Sequence, residues 1–154
     1  MKTIPLTKGL CALVDDSDFD WLSAMKWCAV KARNTFYAQT YYSPTKKLVT
    51  MHRLILGFPA SQTDHWDCNG LNNCRANLRV ANQSNNTANQ LKRRGTSRFK
   101  GVYWNKRDRI WRAQIGLNYG RLGLGDFHDE IEAARAYNRA ALAKFGEFAR
   151  LNDI

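Results

Sequence analysis

The chain has 154 residues, with 24 lysines and arginines against 13 aspartates and glutamates, a formal charge of +11. That length holds one domain or two small ones, and a balance this basic selects a polyanionic partner, nucleic acid first and an anionic membrane surface second. No apolar run is long enough to span a bilayer, Lys8 interrupts the one candidate for a secretory leader, and Cys11, Cys28, Cys68 and Cys74 form no C-x-x-C pair, so a zinc ribbon is unsupported.

The first sixty residues read as a small mixed module. Ile4-Pro5-Leu6 and Leu10 to Val14 suggest short strands before the acidic turn Asp15-Asp16. Phe19, Trp21, Leu22, Met25 and Trp27 fall near helical spacing, with Ser17 or Asp18 as the expected cap. Phe36 to Tyr42 alternates and is β-prone, and Ser43-Pro44-Thr45-Lys46 turns it back into Leu48-Val49-Thr50. A short helix, Met51 to Leu56, then stops at Gly57. The aromatic residues of this stretch are expected in a core.

The stretch from Asp64 to Asn89 is too rich in carboxamides to bury much surface. Asp64 and His65 are adjacent, and at a strand end both side chains can reach one phosphate. Asn77-Leu78-Arg79-Val80 reads as a return strand, with Leu78 and Val80 on one face and Asn77 and Arg79 on the other. Gly70 and the pair Asn72-Asn73 suit the connection, because glycine and asparagine tolerate positive φ. From Asn82 a helix is expected, carrying Asn82, Asn86 and Asn89 on one face.

The pattern Asp64-His65, then Asn77 ahead of Leu78-Arg79, then Asn86 on a helix resembles the HNH endonucleases with a ββα-metal site. The resemblance spans roughly residues 51–90 and includes Met51-His52-Arg53-Leu54 upstream. It implies Asp64 and Asn86 as metal ligands, His65 as general base and Asn77 as the residue that holds the histidine ring. It also implies hydrolysis of a DNA phosphodiester. Two oxygen ligands leave a cation several open positions, which suits Mg²⁺ or Mn²⁺ better than Zn²⁺. Cys68 stands where that family usually has glycine, and Cys74 where it has a polar residue. Arg53 and Arg79 are candidate DNA contacts.

Residues 92–98, including Lys92, Arg93 and Arg94, form a basic, glycine-bearing stretch without large apolar side chains. It reads as a phosphate-contacting linker. From Lys92 to Arg121 the only acid is Asp108. Strands are expected over Gly101 to Asn105, Ile110 to Ile115 and Arg121 to Gly125, with turns at 106–109 and at Asn118-Tyr119-Gly120. The period of two buries Val102, Trp111, Ala113, Ile115, Leu122 and Leu124, and turns Tyr103, Asn105, Arg112, Gln114 and Arg121 to the other face. Such a face can read base edges and phosphates. A helix from Asp129 to Leu142 follows, with acids in its first turn and Gly146 beyond its end.

The segments F-K-G-V, W-R-A-Q-I, L-G-L-G-D-F and E-A-A-R-A-Y-N-R-A-A closely resemble the AP2/ERF DNA-binding domain over residues 98–152. The resemblance implies that the sheet lies in the major groove and that Tyr103, Asn105, Arg112, Gln114 and Arg121 occupy contact positions; Arg107 and Arg109 in the turn are further candidate DNA contacts. Tyr103 and Gly123 depart from the residues that family often has there.

The fold expected is α+β: a ββα-metal (HNH) nuclease module over residues 1–91, a basic linker over 92–98, and a three-stranded antiparallel sheet packed on one helix over 99–154. The function implied is a sequence-selective DNA endonuclease of phage or mobile-element type that nicks double-stranded DNA. The expected setting is the cytoplasm, the host's for a phage protein, as a monomer or weak dimer without a membrane or an obligate protein partner. The alternatives are a non-catalytic AP2-type transcriptional regulator and an RNA-binding module.

Overall fold

The computed structural model describes residues 1–32, 34–92, 94–117 and 120–154. The expected contact Arg93 and the turn residues Asn118 and Tyr119 lie outside the described residues. The chain is mixed α and β, with small antiparallel sheets and, among the described residues, four α-helices. It divides into two compact units, Met1–Asn82 and Gln83–Ile154. No described helix is long and apolar enough to cross a membrane.

The first unit opens with a hairpin of β1 (Lys2–Pro5) and β2 (Cys11–Val14). Alternation sends Ile4, Ala12 and Val14 inward. Helix α1 (Asp16–Ser23) follows, and its N-cap position is Asp15, two or three residues before the expected Ser17 or Asp18. Asp18 is instead buried and held by the Arg75 guanidinium through bonds of 2.8 Å to both oxygens. Leu22 and Trp27 enter the core, the Trp27 indole donating to the Leu22 carbonyl at 2.8 Å. Trp21 stays 41% exposed, so the aromatic run is not uniformly core.

β3 (Cys28–Lys31), β4 (Phe36–Tyr42) and β5 (Lys47–Thr50) form a second sheet with β4 in the middle. β3 has no strong apolar alternation, because Val30 is exposed and only Ala29 is buried; its pairing with β4 defines it. Helix α2 (Met51–Ile55) sets Met51, His52 and Ile55 inward. β6 (Gln62–His65) and β7 (Leu78–Ala81) pair as the third sheet. Leu78 and Ala81, at the two ends of β7, are buried, but Val80 between them is 52% exposed.

The second unit begins with α3 (Gln83–Asn89), so the division falls before the helix rather than after residue 91. The reason is bonding at the helix end. The Ala88 carbonyl accepts from the Arg150 N–H at 3.3 Å and from the Lys100 ammonium, which also takes the Gln90 carbonyl at 2.7 Å. A cation at a helix C-terminus is favourable with the backbone dipole. The stretch read as a linker is likewise partly built in, since buried Ser97 donates to Glu130 at 2.6 Å.

β8 (Val102–Asn105), β9 (Ile110–Leu117) and β10 (Gly120–Phe127) form an antiparallel sheet with β9 central. α4 (Glu130–Phe145) buries Ala133, Ala134, Ala136 and Ala141, small side chains that admit the sheet closely, together with the Tyr137 ring. Asp129 caps α4 by accepting the Glu132 N–H. Gly101 has φ +77°, and a Cβ there would stand 2.0 Å from the Tyr137 ring. Val102, Ala113 and Ile115 are buried as the alternation requires. Leu122 is 52% exposed, because it sits on the edge strand before a bulge between Gly123 and Gly125 that resets the alternation.

Candidate functional site

Asp64 and His65 end β6, and both are 5% exposed. As strand neighbours they face opposite ways, and each finds its own cover. Asp64 lies opposite Arg79 in the β6–β7 register and forms an ion pair with its guanidinium. The His65 ring packs among aromatics from two other elements. Its centroid lies 5.7 Å from Tyr37 on β4 and 4.9 Å from His52 on α2, edge-on to the latter. Tyr37 and His52 touch each other at 5.3 Å, and His52 Nε2 is 3.0 Å from the Thr50 hydroxyl.

This enclosure sets the protonation states. Burial lowers the His65 pKa, against the opposing influence of Asn73, Asp67 and Asp64, so the ring is neutral at neutral pH. Burial, then the charges of His65 and Arg53, push His52 down to about 3. Burial, with Asp64 and Cys68, raises the Tyr37 phenol. The cluster therefore presents a neutral imidazole next to a buried carboxylate.

The loop after His65 is tied by its own polar side chains. Asn77 accepts from the Asp67 N–H at 3.0 Å and donates to the Asp67 carboxylate at 3.0 Å and to the Asn72 carbonyl at 2.8 Å. Its own carbonyl accepts the Trp66 N–H at 2.9 Å. Asn77 thus fixes the backbone next to His65 and makes no direct bond to the ring, in contrast to the expected contact. Fully buried Asn73 favours the protonated form of the ring, while its side-chain amide makes no hydrogen bond among the described residues. Nothing in the local pattern distinguishes Asn73 from its neighbours. Burial pushes the Asp67 carboxyl up, but bonds from Asn72, the Asn69 N–H and Asn77, and the nearness of His65, hold it below the usual range.

The loop is also pinned to the core. Leu13 N–H donates to the Leu71 carbonyl and the Asn73 N–H to the Leu13 carbonyl, both at 2.8 Å. Gly70 donates to Thr35 Oγ1 at 2.9 Å, and a Cβ on it would lie 2.4 Å from the Tyr37 ring. The loop therefore approaches β4 closely only with glycine at that position.

Among the other expected residues, Arg53 donates to the Pro59 carbonyl at 2.8 Å, closing the turn after α2. Arg79 is mostly covered by its ion pair with Asp64, so it is not an exposed phosphate contact; the strand register placed it opposite the acid. Asn86 lies on α3, in the second unit. Among the described residues no three histidines, cysteines or acids gather into a metal-binding group. A cation held here would rest on a smaller set of oxygen donors.

In the second unit, Lys92, Arg94, Arg107, Arg109 and Arg121 are exposed. A cleft of about 460 Å³ is lined by Lys92, Arg94, Tyr103, Gln114 and Arg121, bringing expected contacts from the basic stretch and the sheet together. Asn105 turns inward to its own loop, accepting from the Arg107 N–H at 3.0 Å and donating to Asp108 at 2.6 Å. Arg112 is bound by Asp126 and Asp108.

No protein-family model matches the chain. APETALA2-like protein 2 of rice (Oryza sativa subsp. indica) is 46% identical over 61 residues, 38% of this chain. An AP2/ERF and B3 domain-containing protein of Oryza sativa subsp. japonica is 47% identical over 57 residues, 37% of this chain. The chain spans only 14% and 15% of the length of these plant relatives. A protein of Acanthamoeba polyphaga mimivirus, named as an uncharacterised HNH endonuclease, is similar along most of the sequence: 30% identity over 145 residues, 88% of this chain and 75% of the viral protein. With that extent of similarity, and with Asp64 and His65 together at the end of β6, the chain belongs to the HNH endonuclease family.

Proposed function

We infer that the chain is a DNA endonuclease that hydrolyses one phosphodiester of double-stranded DNA, with His65 as general base. The observation that carries this reading is the buried, neutral His65 imidazole beside the Asp64 carboxylate. His65 accepts a proton from the attacking water at a ring nitrogen, a contribution worth roughly 10²–10⁴-fold. Tyr37 and His52 hold the ring in place and keep bulk water from it, and Asn77 fixes the backbone that carries it.

The donor chemistry fits a hard divalent cation, Mg²⁺ or Mn²⁺, since the Asp64 carboxylate and the Asn86 carboxamide of the family pattern both offer oxygen. When bound, such a cation neutralises charge developing on the phosphate and the departing oxygen. The second unit, with its exposed arginines and lysines, supplies affinity for duplex DNA. The full-length likeness to a viral protein named as an HNH endonuclease supports the nuclease reading. The plant AP2 likeness favours a second one, a DNA-binding regulator without catalysis.

Supercoiled plasmid separates the two. Wild type with Mg²⁺ should give nicked circles, EDTA should stop the reaction, and His65→Ala should bind the plasmid without nicking it. Intact plasmid with wild type leaves the regulator; nicking by His65→Ala removes the assignment of the base.

A further inference from the structure

Trp66 follows His65 directly, its Cα about 3.8 Å from that of the histidine. Its N–H donates to the Asn77 carbonyl at 2.9 Å, which extends the β6–β7 pairing by one residue. The His65 carbonyl accepts the Cys68 N–H at 2.9 Å, so Trp66 and Asp67 are the two central residues of a turn. Cys68, at the end of that turn, has φ +64°, in the left-handed region that residues other than glycine rarely adopt. Such a conformation persists only where the surroundings impose it. Here the bonds between Asp67, Asn69 and Asn77 do so. The backbone beneath the indole is therefore held in one path.

The indole itself is 61% exposed, more than that of any of the other four tryptophans. Asp64 and His65, next to it in the chain, are each only 5% exposed. In a straight, stacked duplex a phosphodiester lies along a smooth backbone and does not project toward groups set so deep. Local unstacking lets it do so. Apolar side chains that enter a base step partly unstack it and kink the duplex, and every base offers a π-face on which an indole can stack. A phosphate offers the indole no such face, and the ionised Asp67 carboxylate beside it repels one. What the exposed ring meets on DNA is therefore a base.

We propose that Trp66 inserts at the nicked base step of duplex DNA and unstacks it, so that the phosphate of that step reaches Asp64 and His65. This rests on the nuclease reading above and adds to it the residue that deforms the substrate. The insertion is offset by the unstacking it causes, so its gain appears in the rate of nicking rather than in affinity.

The nick made by the wild-type chain in Mg²⁺ is mapped first. Duplexes of that sequence are then made fully matched, with a mismatch at the nicked step, and with 2-aminopurine in turn on each side of it. Trp66→Ala should lower kcat on the matched duplex roughly tenfold to a hundredfold, the worth of one lost base stack, with duplex affinity little changed. Trp66→Phe should keep most of the rate. A mismatched step is already easier to open, so on that duplex Trp66→Ala should return close to wild type. In the His65→Ala chain, which leaves bound DNA uncut, 2-aminopurine fluorescence should rise on binding at one of the two positions, and the rise should vanish when Trp66→Ala is added. Equal loss on matched and mismatched duplexes would mean that Trp66 serves the fold of the site and overturns the proposal. So does an unchanged kcat, or a loss confined to affinity. Fluorescence that rises at neither position with the His65→Ala chain overturns it without recourse to any Trp66 variant. All of these leave the nuclease reading standing, whereas the absence of any nick with wild type removes both.

Discussion

Acidification should loosen the first unit well above the carboxylate range. His52 is 8% exposed, and its proton affinity falls from the ordinary 6.5 to about 3 on folding. The folded pKa is the lower one, so the unfolded chain binds the extra proton. The contribution is complete above pH 6.5 and is lost as pH falls from there toward 3. At pH 5 the linkage relation gives a loss of about 2 kcal/mol from His52 alone. His65, also lowered, adds to the loss. Asp18 and Asp67 have pKa values below 3.8, so their contributions are present at pH 5 and fade only below that range. The buried Trp27 indole N–H reports on this unit. Urea titrations followed by its NMR signal at pH 7.5 and pH 5 should show the midpoint falling by about 1 M, given a slope of about 2 kcal/mol per molar. In His52→Gln the drop should shrink to the part that belongs to His65. If wild type and His52→Gln lose the same stability between the two pH values, His52 does not titrate as its burial requires and the reasoning fails.

Three further outcomes follow from individual contacts. Arg79→Ala leaves the Asp64 carboxylate buried without its partner and should cost about 3 kcal/mol in urea unfolding, most of it recovered when Asp64→Asn is added. Asn77→Ala removes the three side-chain bonds that close the loop after His65, which should cost about 2 kcal/mol; plasmid nicking should slow while duplex affinity is kept, and equal loss of both would place Asn77 elsewhere in the reaction. Gly101→Ala forces a Cβ into the Tyr137 ring at a positive φ and should cost about 3 kcal/mol or more in the second unit, seen as loss of duplex binding; unchanged binding would contradict the close packing of α4 on β8.

The family pattern was legible because it is local. Asp64 and His65 are neighbours, Asn77 precedes an alternating strand, and the strands and capped helix of the second unit announce themselves by period and turn residues within short windows. A sequence read in windows gives the backbone path of each segment and the residue types it carries. It does not give what each side chain meets. The aromatic enclosure of His65 comes from β4 and α2, Asn73 rather than Asn77 bears on the ring, and the β6–β7 register turns Arg79 from a surface cation into the partner of Asp64. β3 exists because β4 offers it an edge, and Arg112 is held by acids from a turn and from a neighbouring strand. Composition and periodicity determined that this is a basic chain with alternating strands and a capped helix, and Asp64-His65, Asn77 and Asn86 carried the resemblance to the HNH endonucleases. Which carboxylate is paired and which imidazole is kept neutral was decided by the return of distant segments, since register and burial depend on groups that no local window contains.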